Sequence, residues 1–319
     1  LAGAGYSLSI ATNKRLHPTR LILDFLGWQR CFAHVYALDL FTPRLPDKAS
    51  MLQRLISDQG IPPATAVYIG DRAEDGLAAT ACPCMGYMQS LVDAGTARYT
   101  ELIAELPPLS RPIYATLLSG KRPAESGITH NDAPCPCPEP HIFSRAQAAG
   151  LQTAAAAYHW ISELCNAHPF EPARDRHTDN PALPIAHGHF YCTDAYPDDE
   201  LFHDAASLQL RHRPHLLLVH SMGIDNAGHL YGAESREYRT AARRADGLLA
   251  RWLPRWVEAG YAVLVISDHG MNADGNHNDD SDACRRVPLW LVGEAWNSRP
   301  LPQDQTQIAD LVCAALGIA

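Results

Sequence analysis

The sequence has no apolar run long enough to span a bilayer, no excess of positive charge and no internal repeat. The first absence excludes a membrane-spanning helix, so no membrane partner is expected. The formal net charge of −9 argues against a nucleic-acid polymer as partner, because such binders display a basic stripe. Small phosphate esters stay open, since metal ions can supply positive charge locally. Zinc-type Cys-x₂₋₄-Cys spacing is also missing. Cys82-Pro-Cys84 and Cys135-Pro-Cys137 are too tight, and nine cysteines cannot all pair internally, so they read as reduced thiols. The chain does not begin with Met, and Leu1–Ala11 lacks the charged-then-apolar order of a signal peptide. A cytoplasmic location is the resulting expectation.

With 319 residues, 46% of them apolar and 19% charged, the chain has room for two domains or one large one, with an ample core. Two short stretches stand out. Asp225-Asn226-Ala227-Gly228-His229 follows the apolar run Leu216–Val219, and Ser267-Asp268-His269-Gly270, with His277 beyond it, follows Tyr261–Ile266. Five ligands of the kind that Zn²⁺ and similar ions accept are thus delivered from strand ends. They suffice for two ions, the arrangement used in phosphoryl and related transfers. Asp-x₃-His lets a loop turning into a helix aim both side chains at one ion. The adjacent Asp268-His269 pair can converge because a strand end leaving its sheet is not bound to alternate faces.

Along the chain, Tyr6–Ala11 reads as a strand, Thr19–Leu26 and Lys48–Ile56 as helices, and Ala66–Gly70 as a strand ending in Asp71-Arg72-Ala73-Glu74-Asp75-Gly76. This alternation implies a parallel α/β sheet with functional groups at the carboxyl ends of its strands. Further on, Met85–Ala94 and the Ala-rich Ala146–Cys165 read as helices. Residues 131–140 read as a loop, and Pro172–Asp199, rich in Pro, His and Asp, as a long irregular connection. His215–Val219, Tyr261–Ile266 and Val287–Val292 read as strands, Ser235–Ala259 as a helix disturbed at Pro254, and Gln307–Leu316 as a closing helix. Within the irregular stretch, His187 and His189 are candidates for touching substrate. His220, at a strand end, reads as a packing or supporting residue.

From Ser110 onward the order of motifs resembles the alkaline phosphatase superfamily, in its nucleotide pyrophosphatase/phosphodiesterase-type branch. The residues that carry it are Ser110-Arg-Pro-Ile-Tyr-Ala-Thr-Leu-Leu-Ser-Gly120, Ser126-Gly-Ile-Thr-His-Asn131, Asp225 with His229, and Asp268-His269 with His277. The resemblance implies that Ser110 is the nucleophile. It implies that Asp225, His229 and His277 hold one divalent ion and that Asp268 and His269 help hold a second, both expected to be Zn²⁺ and about 4 Å apart. It makes Asn131 an amide donor to a phosphoryl oxygen, a role suited to charge developing in the transition state. The family also has a strand ending in an Asp-Gly pair whose Asp ligates the second metal. No complete copy of it stands just before Met85; Asp75, or else Asp71, is the nearest candidate.

Residues 5–81 resemble a second family, the haloacid dehalogenase-like hydrolases, through Ala11-Thr12-Asn13-Lys14, Lys48 and Gly70-Asp71-Arg72-Ala73-Glu74-Asp75. That resemblance implies phosphoryl binding by Thr12 and Lys48 and Mg²⁺ binding by Asp71 and Asp75. The family's nucleophile lies in an Asp-x-Asp motif, and none precedes Thr12 here, so this segment is expected to be catalytically silent as it stands.

The expectation is therefore an α/β protein of two parts. Residues 1–81 form a partial, Rossmann-like haloacid dehalogenase segment, and residues 82–319 an alkaline phosphatase-like hydrolase domain with a central, mostly parallel sheet flanked by helices. Its substrate is a small phosphate ester or nucleotide-like molecule, with a phosphodiester or pyrophosphate favoured. The rival readings are a Mg²⁺-dependent haloacid dehalogenase-type phosphatase and a catalytically silent fusion.

Overall fold

The computed structural model describes residues 7–12, 15–42, 45, 48–61, 84–132 and 135–318. The chain divides into two compact units, Leu1–Ser90 and Leu91–Ala319.

In the first unit, β1 (Ser9–Thr12) and β2 (His34–Ala37) pair in parallel and are connected through α1 (Leu16–Phe25). Helix α2 (Lys48–Asp58) lays Met51 and Leu55 on Tyr36, with Ala11, Phe41, Leu45 and Ile61 around them. Among the described residues this core is small, with Phe25 90% and Trp28 51% exposed. Thr12 closes β1 and Lys48 opens α2. The expected strand Ala66–Gly70 and the acidic residues Asp71 and Asp75 lie outside the described residues, so the wider Rossmann-like sheet is not seen among them.

After α3 (Gly86–Asp93), the second unit runs in order through β3 (Ala97–Ile103), α4 (Ser110–Ser119), α5 (Pro123–Ser126), α6 (Ile142–Ala148), β4 (Thr153–Tyr158), α7 (His159–Cys165), α8 (Pro172–Asp175), β5 (His177–Asp179) and β6 (His187–Tyr191). It continues with α9 (Asp198–His212), β7 (Leu216–Val219), α10 (Gly223–Tyr231), α11 (Arg236–Glu258), β8 (Val263–Ile266), α12 (Asp282–Arg285), β9 (Arg286–Val292) and α13 (Ile308–Ala315). The described strands of this unit form two small sheets rather than one central, mostly parallel sheet. One has the order β5-β6-β4-β7, parallel except for its edge strand β5; the other, β3-β9-β8, is antiparallel throughout. Helix α13 serves both cores: Ala309 and Cys313 face the first, Ile308 and Leu311 the second.

Two readings of the sequence are corrected here. Ala146–Cys165 is not one helix, because Thr153–Tyr158 forms a strand between parallel neighbours with Ala154, Ala155, Ala156 and Ala157 fully buried. Alanine's helix propensity is a weak prior, and burial on both faces of a sheet overrides it. Pro172–Asp199 is not one long connection either, since it carries α8, β5 and β6. Pro254 lies inside α11 without ending it. Pro254 is on the exposed side, where the carbonyl it leaves unpaired can meet water. The opposite face buries Leu248, Leu249, Trp252, Leu253 and Trp256.

Candidate active site

The site collects where β7 and β8 end, beside the start of α4. Helix α4 is entered through Leu109 in extended conformation and closed by Gly120 at φ 77°, where a side chain would meet the Thr306 carbonyl at 2.8 Å. Ser110 is therefore its first residue, 5% exposed, at the end of the helix that favours anions. Beyond β7, α10 carries Asp225 and His229 one turn apart on one face. Its start packs against Asp198, whose carboxyl is pushed up by burial. A side chain on Gly223 would lie 2.2 Å from the Asp198 carboxylate, so the fit requires glycine.

The five expected ligands come together. His277 Nε2 lies 3.2 Å from His229 Nε2 and 3.8 Å from Asp225 Oδ1, and His229 Nε2 lies 3.5 Å from Asp225 Oδ2. His269 Nε2 lies 3.1 Å from Ser110 Oγ and 3.1 Å from Asp268 Oδ2. Asp225, His269 and His277 also converge, with one ligand atom of each within 4.8 Å of the others. Donors at 2.0–2.1 Å around a tetrahedral ion sit about 3.3 Å from one another, which is the scale of these separations.

The imidazole tautomers fit that reading. His229 Nδ1 faces the Gly275 carbonyl at 2.9 Å, His269 Nδ1 the Gly270 carbonyl at 2.9 Å, and His277 Nδ1 the Pro108 carbonyl at 2.7 Å. A carbonyl only accepts, so each Nδ1 carries its proton and each Nε2 turns a lone pair inward. His229 Nε2 thus faces His277 Nε2, and His269 Nε2 faces the Asp268 carboxylate, acceptor against acceptor. A cation resolves both confrontations. Burial also pushes the Asp268 carboxyl up to about 6, raises that of Asp225 and lowers the imidazoles of His269 and His277. The imidazoles are thereby held in the neutral form that ligates metals.

Asn131 is fixed from the other side. The Arg111 N–H donates to its Oδ1 at 3.0 Å, and the Arg111 guanidinium reaches the Asn131 carbonyl at 3.0 Å and Glu163 at 2.7 Å. With its oxygen occupied, the Asn131 amide nitrogen is left as a donor for the cavity. That cavity, ≈ 310 Å³, is lined by Ser110, Asn131, Asp225, His229 and His277 together with Tyr158, Trp160, Asp194 and others. Burial, reinforced by Asp194, pushes the Tyr158 hydroxyl up to about 12.

His187 and His189 do not line this cavity. His220 is a packing residue, edge-on to Tyr114 at 4.7 Å, with burial lowering its imidazole to about 4. Sequence reasoning passed over Tyr158, Trp160, Asp194 and Asp198. The first two lay within the stretch read as one helix and the last two within the stretch read as a loop. Asp71 and Asp75, the candidates for a further ligand, lie outside the described residues. So does any arrangement of Asp71 and Asp75 with Thr12 and Lys48.

A family model described as type I phosphodiesterase / nucleotide pyrophosphatase matches residues 75–282, and one described as haloacid dehalogenase-like hydrolase matches residues 1–84. GPI ethanolamine phosphate transferase 2 of Eremothecium gossypii is 30% identical over 113 residues, 33% of this chain and 14% of that one. Phosphoglycolate phosphatase of Psychrobacter arcticus is 38% identical over 78 residues, 24% of this chain and 34% of that one. The chain thus spans a minor part of the length of these relatives. Among solved structures, murine ectonucleotide pyrophosphatase/phosphodiesterase 5 is similar with a TM-score of 0.52 at 12% identity, covering 69% of this chain and 86% of that one. A 2-O GAG sulfatase is similar with a TM-score of 0.52 at 16% identity, covering 74% and 66%. At these identities the likeness is one of fold, the alkaline phosphatase-like α/β fold.

Proposed function

We propose that this chain, which belongs to the type I phosphodiesterase / nucleotide pyrophosphatase family, hydrolyses a small phosphodiester or pyrophosphate with Ser110 as nucleophile. The observation that carries the reading is the Ser110 hydroxyl at the start of α4, 3.1 Å from a histidine whose lone pair is turned toward it, among inward-facing acceptors suited to cations. Asp225, His229 and His277 would hold one divalent ion and Asp268 and His269 a second, with Zn²⁺ favoured by the imidazole-rich donor set. When bound, the ions supply Lewis acidity, activating a hydroxyl that is a poor nucleophile by itself and neutralising charge on the phosphoryl oxygens.

The chain's own groups do the rest. Ser110 Oγ forms a bond to phosphorus as the bond to the leaving oxygen breaks, and water later cleaves the seryl phosphoester. Asn131 donates its amide to a phosphoryl oxygen, and the N–H groups opening α4 favour the same anion. Tyr158 and Trp160 offer aromatic faces to the group carried by the leaving oxygen. The Ser110→Ala variant is the test. Its turnover of an aryl phosphodiester is expected to fall about 10³-fold or more, with metal content near that of the parent. Full activity in that variant would remove Ser110 from the mechanism.

One observation supports a second reading within the same chemistry. Asp194 places a carboxylate beside the Tyr158 ring at the cavity, a pairing that suits an ammonium group, and one relative is named an ethanolamine phosphate transferase. In that case an alcohol rather than water takes the phosphoryl group from Ser110. Release of inorganic or ethanolamine phosphate in water, against its transfer to an added alcohol, separates the two.

A further inference from the structure

A second group of one carboxylate and two imidazoles lies at the opposite end of the parallel strands. His187 opens β6 and pairs in register with Ala154 near the start of β4, whereas Tyr158, which lines the catalytic cavity, ends β4. Four residues of strand separate the two levels, about 13 Å. Asp179 stands directly opposite His187 across the antiparallel β5–β6 pair, so both side chains share one face. His187 Nδ1 lies 2.8 Å from Asp179 Oδ1. His212, the last residue of α9, lays its ring flat on that of His187, with centroids 3.6 Å apart and planes at 14°. One ligand atom from each of the three lies within 4.8 Å of the others.

The far side of the His187 ring is braced as metal-bound imidazoles are braced. Its Nε2 faces Gln152 Oε1 at 3.3 Å, an acceptor placed to take the Nε2 proton. A neutral imidazole has one N–H. With that proton directed to Gln152, the Nδ1 lone pair confronts the Asp179 carboxylate, acceptor against acceptor, as in the catalytic cluster. The carbonyl end of α9, where His212 sits, adds a negative potential that favours a cation.

We propose that Asp179, His187 and His212 bind one divalent transition-metal ion of the zinc class, joining the β5–β6 hairpin to the end of α9. The donor set of two nitrogens and one carboxylate suits Zn²⁺, with water completing the shell on the solvent side. The site takes no part in turnover; it ties a sheet edge to the helix whose first residue, Asp198, braces α10.

The test is a zinc titration of the full chain, stripped by chelator and read by competition with a chromophoric chelator and by elemental analysis. Asp179→Asn and His212→Ala are each expected to bind one Zn²⁺ fewer per chain than the parent while keeping its phosphodiester turnover. Asp179 is an exposed side chain, so its variant folds even if His212→Ala does not. A chain carrying Asp225→Asn, Asp268→Asn, His269→Ala and His277→Ala, which removes ligands of both catalytic ions, is expected to retain one Zn²⁺ and to lose it when Asp179→Asn is added. Equal zinc stoichiometry in the parent and Asp179→Asn chains would overturn the proposal. In that case the Gln152 amide is turned to donate to His187, and Asp179 simply accepts its proton.

Discussion

The cluster around Asp225, His269 and His277 and the one at Asp179, His187 and His212 share composition and the same stacked imidazole pair, yet their supports differ. In the first, His269 and His277 are 6% and 5% exposed and each outer nitrogen is held by a main-chain carbonyl. In the second, the outer nitrogen of His187 is held by a side chain, Gln152, and the Asp179 side chain is 75% exposed. Donor identity thus sets which metals can bind. Enclosure sets how strongly the ions polarise what they touch, because interactions inside a water-poor site are stronger. The buried cluster also adjoins the Ser110 hydroxyl, the Asn131 amide and a cavity.

Two matched substitutions separate the two clusters most decisively. Asp225→Asn is expected to lower phosphodiester turnover about 10³-fold or more and to reduce bound metal, while Asp179→Asn leaves turnover within about twofold of the parent. Paired steady-state assays with metal analysis check this, and similar losses in both variants would erase the functional difference between the clusters. A smaller effect comes from the donor unique to the buried site. Asn131→Ala is expected to cost about 10²-fold in kcat with metal content unchanged, the size typical of one lost transition-state donor. A change confined to KM would make Asn131 a binding residue only.

The smallest effect serves as a control on acid sensitivity, because ions held by either cluster would be released when the imidazoles protonate. His141 belongs to neither. It caps α6 by accepting the Ser144 N–H on Nδ1, and burial lowers its imidazole to about 4. The unfolded chain protonates this group from about 6.5 downward and the folded chain resists until about 4. Its contribution is therefore complete above pH 6.5 and lost as the pH falls toward 4, by up to about 3 kcal/mol. In urea unfolding at pH 7 and pH 5, His141→Asn, which keeps a capping side chain, is expected to show a smaller acid-induced loss of stability than the parent. An unchanged loss would place the acid sensitivity in other groups.

Much of the site is legible in the sequence because its residues sit at element ends, where short local signals operate. Ser110 is legible through the order of motifs it opens, and Asp225 and Asp268 each follow an apolar β run. What encloses the site is not legible in this way. The Ala154–Ala157 run has the composition of a helix, and only the neighbours β6 and β7 make it a strand. Once β4 is misread, Tyr158 at its end cannot be placed at a cavity wall, nor Trp160 just beyond it. The five-residue strand β6 is equally concealed, since His187 and His189 interrupt the expected apolar pattern. Asp198 falls at the end of the stretch read as an irregular connection. Its hold on Gly223 depends on a contact between α9 and α10 that no local pattern encodes.

The imidazoles of His277, His269 and His229 hang from carbonyls of Pro108, Gly270 and Gly275, groups that every amino acid carries. No single side-chain replacement can delete those acceptors. The loops are further pinned by local sterics: a side chain on Gly270 would lie 2.0 Å from the Ala283 carbonyl, and Gly275 sits at φ 77° against the Gly228 carbonyl. Drift by point mutation therefore has little purchase on how the histidines are aimed. Divergence of this centre toward other reactions must proceed by changing the ligands themselves, the cavity wall, or the lengths of the loops.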